Sequence, residues 1–350
     1  MTALFTDTLL LVLALAIPAA VALLVALVGL WPNLREAVSL AGALLLAAVV
    51  FLLLARVLGG ARPSLHLATI APGLDLALAL EPLGMLFASV AATLWIANTI
   101  YSIGYMRGNS EPRQTPFYSA FAVAIFSTMG VALSGNLITL FLFYELLSLS
   151  TFPLVTHKQS PEAMRAGRTY LLTLIGASMI LLLPAIVWTA VAAGTTAFTP
   201  GGILAGHVNP LGMAVLFGMF VFGAAKAAVM PLHRWLPAAM VAPTPVSALL
   251  HAVAVVKAGV FTILKVSVYV FGLDTLRETG ASQWLVYVAG FTIIAASFVA
   301  LSADDLKRRL AYSTIGQLSY IVMAAAIATP AAAIGAALHI AAHAVSKITL

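Results

Sequence analysis

The sequence predicts an all-α polytopic membrane protein, and three observations carry that prediction. Of 350 residues, 63% are hydrophobic and 8% are charged, where an ordinary soluble domain carries about a quarter charged residues. Too few polar groups exist for this chain to face water on its own. Many apolar runs reach or exceed about 18 residues, the length of a transmembrane helix. Finally, most of the basic residues collect between these runs rather than inside them.

Run length and breaker residues place about eleven spans, near 8–31, 37–58, 80–105, 115–134, 137–157, 165–193, 210–241, 245–271, 284–302, 310–328 and 331–350. The first run, Leu9 to Leu30, has no basic residue before it. It exceeds the core of a signal peptide, so it reads as a retained span. Glu81 and Pro82 mark the start of the third; an acid there suits a helix N-terminus. The fifth carries Glu145 in LFLFYELLSLS. The seventh carries Lys226 and is then interrupted by Pro231 and Pro237, and the eighth opens on Pro243 and Pro245. Connections are short apart from the segments around 59–79 and 194–209, and none holds a soluble domain.

Alternating the loops sorts the basic residues. Arg35, Arg107, Arg113, Lys158, Arg165, Arg168, Arg234, Lys307, Arg308 and Arg309 fall on one side, and Arg56, Arg62 and Arg277 on the other. By the positive-inside rule the first side is cytoplasmic and the N-terminus lies outside. The chain has no cysteine, which excludes disulfides, thiolate metal sites and cysteine nucleophiles together. Its formal charge of +6 says little until the basic residues are placed in loops, and nothing points to nucleic acid. Nucleotide-binding loops and hydrolase motifs are absent, and no cofactor or resident metal is expected.

What remains inside the apolar runs is unusual: Lys226, Lys257, Lys265, Lys347, Glu145, His251, His339 and His343. A charge at mid-bilayer costs at least about 2.5–3.5 kcal/mol, so such groups are paired, hydrated or deprotonated and are functional by default. Lys226 sits in FGAAKAAVMPLHRWLP beside a helix break, where Pro231 frees backbone carbonyls. Broken backbone survives at membrane depth only when buried in protein or lining a wet cavity. Ser247 and His251 are four apart on one face, with Lys257 about 9 Å further along the axis. Lys265 lies nearer the outer end, where a lysine can snorkel. In LHIAAHAVSKITL, His339, His343 and Lys347 recur every four residues, a stripe about 12 Å long that suits proton transfer through intervening water. Metal or haem ligation is the competing reading; zinc lacks further ligands here, and haem would need an opposed histidine such as His251. Lys307, in DDLKRRLAYST, belongs either to the solvated basic edge or to an inward-pointing bridge.

These stretches resemble one family. MPLHRWLPAAMVAPTPVSALLHA, LFLFYELLSLSTFPLV, DDLKRRLAYSTIGQLSYI and LHIAAHAVSKITL are similar, in the same order, to characteristic segments of the antiporter-like subunits of respiratory complex I, membrane-bound hydrogenases and Mrp cation/proton antiporters. The resemblance implies the lysine in VVKAGV for the Mrp D-type and the complex I M-type subunits but not the L-type, and the local wording, including HKQSPEAMRAGRTYL, looks closest to the D-type Mrp subunit. The resemblance implies two inverted five-helix repeats, each with a broken helix. Residues 1–110 would then form an N-terminal three-helix segment, 111–275 the first repeat with its half-channel, and 276–350 the start of a second repeat, incomplete here. It implies a proton relay through Glu145, Lys226, His251, Lys257, Lys307, His339, His343 and Lys347.

The expected function is a proton-translocating subunit of a multisubunit Na+/H+ antiporter, multi-pass in a bacterial-type inner membrane, with other membrane subunits, protons, Na+ and the lipid bilayer as partners. One alternative is a pumping subunit of an NADH-quinone oxidoreductase or hydrogenase, whose redox chemistry would sit in partner subunits. The other is a non-conducting scaffold.

Overall fold

The structure is a computed structural model that describes residues 6–71, 74–249 and 254–350. His251 lies outside the described residues. The chain divides into two compact units, Met1–Ser160 with Ala242–Ala254 and Lys347–Leu350, and Pro161–Val241 with Val255–Ser346.

The first unit holds α1 (Asp7–Leu27), α2 (Pro32–Leu58), β1 (Ser64–Ala71), β2 (Leu74–Ala79), α3 (Pro82–Gly108), α4 (Gln114–Ala132) and α5 (Leu137–Val155). Helix α1 packs on α2 and α4, α2 on α3, and α4 on α5. Helix starts follow ordinary capping chemistry. Thr6 caps α1 by accepting from Leu9 N, Pro32 and Pro82 occupy the first turns of α2 and α3, and Asn136 caps α5 by accepting from Thr139 N. Glu81 stands at the N-cap position of α3, as its place beside Pro82 suggests.

The connection after α2 is more than a loop. Its strands β1 and β2 pair antiparallel and hold the turn between α4 and α5. Ala79 N donates to Leu133 O at 2.8 Å, Gly135 N to Ala77 O at 2.8 Å, and Asn136 Nδ2 to Asp75 O at 2.8 Å. Near the start of α2, Arg35 and Glu36 are both 4% exposed. Arg107 of α3 forms an ion pair with Glu36, Arg35 reaches Glu36 at 3.4 Å, and Arg35 donates to Gln114 Oε1 at 2.6 Å. Arg35, sorted by sequence with the basic residues between spans, thus stands in the first turn of α2 beside a buried ion partner.

The second unit begins with α6 (Pro161–Ala177), a π turn (Ser178–Leu182) and α7 (Leu183–Ala193), together one 33-residue span. Helix α8 (Pro210–Gly223) follows, then a 3-10 turn (Ala225–Ala227), α9 (Trp235–Ala238) and a second 3-10 turn (Ala239–Val241). The chain passes through α10 (Thr244–Ala248), which belongs to the first unit, and returns with α11 (Val255–Val266), a π turn (Ser267–Phe271) and α12 (Leu273–Thr279). It ends with α13 (Gln283–Ser302), α14 (Leu306–Ile327) and α15 (Pro330–Thr349).

Among the described residues nine helices are long and apolar enough to cross a membrane, or ten if α11 and α12, bent by 81°, form one span. The difference from eleven apolar runs lies at the seventh and eighth. The seventh run is α8, only 14 residues, followed by irregular backbone; the eighth is described as short α10 and then α11.

Candidate functional site

The break after α8 begins earlier than Pro231. The helix ends at Gly223, Ala224 leaves helical geometry at φ −80°, ψ 49°, and Ala228 is left-handed at φ 55°. The Met230–Pro231 bond is cis. An interrupted helix leaves carbonyls without intrahelical donors. One is satisfied by an aromatic side chain: Trp235 Nε1 donates to Ala225 O at 3.0 Å, and the indole in turn meets Tyr170 edge-on. Two glycines let helices close on the break. A Cβ at Gly259 of α11 would collide with the backbone of Lys226 and Ala227, and one at Gly223 with Leu182 in the first π turn. Lys226 is completely buried, so it does not snorkel.

Helix α11 presents two more buried lysines. Lys257 and Lys265 are both at 0% exposure. Lys257 Nζ lies 2.5 Å from His343 Nδ1 on α15. The His343 ring, 4% exposed, stacks on His339 with centroids 6.1 Å apart and planes 15° from parallel. His339 Nε2 donates to Gln317 Oε1 of α14 at 2.9 Å. An amide oxygen only accepts, so this bond places a proton on Nε2 of His339. A cleft of about 430 Å³ lined by Gln317, Tyr320, Gly335, Ala336 and His339 opens beside this last ring. Hydrogen bonds thus join Lys257 to His343 and His339 to Gln317, and the two pairs meet through the stacked histidine rings.

This line has a chemical property that ion pairs lack. An ammonium has only donors, and a doubly protonated imidazole has only donors. Their nitrogens share a hydrogen bond only when one of the two lacks a proton. The pair therefore carries at most one positive charge between its two nitrogens.

The other expected residues fall as follows. Glu145, 8% exposed, lies midway along α5 in the first unit. Lys307, half-buried at the start of α14, donates to Met240 O at 3.4 Å. Lys347 is half-buried one turn beyond His343 on α15. Lys265 corrects an expectation: rather than snorkelling, its ammonium sits 4.5 Å from the Phe198 ring centroid and 5.4 Å from that of Phe261, a cation–π seat. Gln317 lies within the family-like stretch DDLKRRLAYSTIGQLSYI but carries no signal of its own, since a lone glutamine in a helix is unremarkable without its partner.

Just beyond α5, His157 is 6% exposed, and burial holds it below the ordinary histidine range, against the pull of Glu111. Its Nε2 lies 3.8 Å from Glu111 Oε2.

Comparison with known proteins places this architecture. Residues 134–350 match the family described as NADH:quinone oxidoreductase/Mrp antiporter, TM. The chain is 33% identical over 284 residues to a probable K(+)/H(+) antiporter protein of A/B type from Rhizobium meliloti (strain 1021), covering 79% of this chain and 27% of that protein. It is 34% identical over 259 residues to the "Putative antiporter subunit mnhA2" of Staphylococcus aureus (strain MSSA476), covering 71% and 31%. Both relatives bear A in their names, whereas the local wording of the sequence resembles the D type. The chain spans about a third or less of their length.

Among solved structures it resembles a chain of the Mrp complex from Dietzia sp. DQ12-45-1b, with TM-score 0.80, 30% identity and coverage of 97% and 36%. A chain of the archaeal membrane-bound sulfane sulfur reductase shares the fold, with TM-score 0.85, 24% identity and coverage of 97% and 69%. This multi-pass membrane chain belongs to the complex I-like NADH:quinone oxidoreductase/Mrp antiporter family.

Proposed function

We propose that the chain is a proton-translocating subunit of a multisubunit monovalent cation/H+ antiporter, with Na+ as the first cation to test. One observation carries the reading: Lys257 and His343, buried on different helices, share a hydrogen bond that requires one shared proton vacancy. Such a pair accepts a proton from one side and releases it to the other with little rearrangement. Lys226, His251, Lys307, His339 and Lys347 extend the relay, and movement of charge on Glu145 shifts the proton occupancy of Lys226. The driving force is the membrane potential with the ion gradient, about 2.3 kcal/mol per charge per 100 mV.

The repeat boundaries at 111–275 and 276–350, an N-terminus outside, and a bacterial inner membrane location complete the reading. Other membrane subunits are its partners, as the names and assemblies of its relatives suggest.

The test is proton flux in vesicles reconstituted with the assembled complex. Lys226→Ala brings flux to the protein-free background while assembly is normal; undiminished flux refutes the proposal. A second reading, a pumping subunit of a redox complex, is favoured by the quinone oxidoreductase half of the family description. Iron–sulfur and flavin subunits among the co-purifying proteins would select it over small antiporter subunits.

A further inference from the structure

In the first unit, α2, α3 and α4 enclose a small cavity lined by Ser39, Trp95, Thr99, Ser102, Tyr118 and Phe121. The space open to the centre of a water molecule is about 10 Å³, near the least that holds one water. Four of the six lining side chains carry a hydroxyl. Tyr118 is 4% exposed, and its Oη has no hydrogen-bond partner among the described residues. Arg35, whose guanidinium lies 5.2 Å from the Tyr118 ring centroid, leaves its Nε in the same condition. Ser39 Oγ donates to Arg35 O at 3.0 Å and Ser102 Oγ to Asn98 Oδ1 at 3.5 Å, so the lone pairs of both serines remain to accept.

We infer that this cavity binds one water molecule, which accepts from Tyr118 Oη and donates to the hydroxyls of α2 and α3. A buried water needs two to four polar partners, and the walls supply them. A buried hydroxyl in a dry cavity would instead suffer its full desolvation cost. A bare cation is disfavoured on charge, because the nearby cluster sets two guanidinium groups, Arg35 and Arg107, against the single carboxylate of Glu36. The water is a polar rivet joining three helices beside that cluster, and the inference does not depend on the transport reading.

The sign of one substitution decides it. Tyr118→Phe removes the hydroxyl and leaves the ring. If the water is present, a satisfied hydrogen bond is lost, and the thermal midpoint of the purified protein falls by about 2 °C. An unchanged or higher midpoint means that an unsatisfied group has been removed from a dry cavity, and overturns the inference. So does a wild-type midpoint raised by NaCl over choline chloride and insensitive in Tyr118→Phe, which would mark a cation site. A wild-type cryo-electron microscopy map decides independently of whether the variant folds. Density within hydrogen-bond reach of Tyr118 Oη supports the water, and an empty cavity in a map that resolves other buried waters overturns it.

Discussion

The protein buries charge in two opposite ways. In the first unit, buried Arg35 and Glu36 form a cluster of opposite charges with the half-exposed Arg107. In the second, Lys257, His343 and His339 form a line of bases. Opposite charges lock each other's ionisation, since removing either leaves a buried charge uncompensated. Bases in contact do the reverse, because their hydrogen bond exists only while a proton is missing. The first arrangement suits the holding of helices, the second the proton exchange proposed for it.

Breaking the first cluster gives the largest stability effect. Glu36→Gln leaves the buried Arg35 and the half-exposed Arg107 facing a neutral amide, and the expected loss is about 3 kcal/mol of stability, the lower end for a broken buried pair because water screens Arg107. It is read as a lower thermal midpoint with proton flux per assembled complex unchanged; a lost flux at normal assembly would merge the two regions into one.

A smaller effect sharpens the other side. Gly259→Ala forces α11 off the backbone of Lys226 and Ala227, at a cost of about 1–3 kcal/mol. Flux should fall more steeply than stability, because the shift occurs where the lysine is seated. Flux and midpoint measured on the same preparation separate the two.

The smallest effect concerns His157, at the end of the helix that carries Glu145. Burial depresses its proton affinity in the folded protein. The unfolded chain therefore binds the proton first, and stability is full above the ordinary histidine pKa of about 6.5 and declines as pH falls below it. His157→Gln should flatten the acid side of the midpoint-versus-pH curve. A curve as steep as wild type would assign that slope to other groups.

These contrasts were unequally legible in the sequence. Spans are read from run length alone, because lipid accepts little else than closed, apolar helices. The break near Lys226 is also visible, though prolines mark it late. The helix fails at Ala224, seven residues before Pro231, where Gly223 and Gly259 let neighbours approach and Trp235 supplies a donor. That is a tertiary cause with no local signature. The hairpin at 64–79 alternates in strand fashion but sits in a connection, where strands are not sought in a helical protein. The His339–His343 spacing was evident from helical period; its partners Lys257 and Gln317 lie 86 and 22 residues away, and only folding joins them. Lys265 looks like a snorkelling residue in sequence, and burial reverses that reading; Arg35 sorts with the loop residues, and nothing local marks it as buried.

The central claim is that Lys257 and His343 act as one proton-holding unit, and a double-mutant cycle in proton flux tests it most directly. Lys257→Gln and His343→Gln each slow flux through the reconstituted complex, and the double variant is no slower than the worse single one. Single effects that multiply in the double variant would show two independent groups and contradict the account.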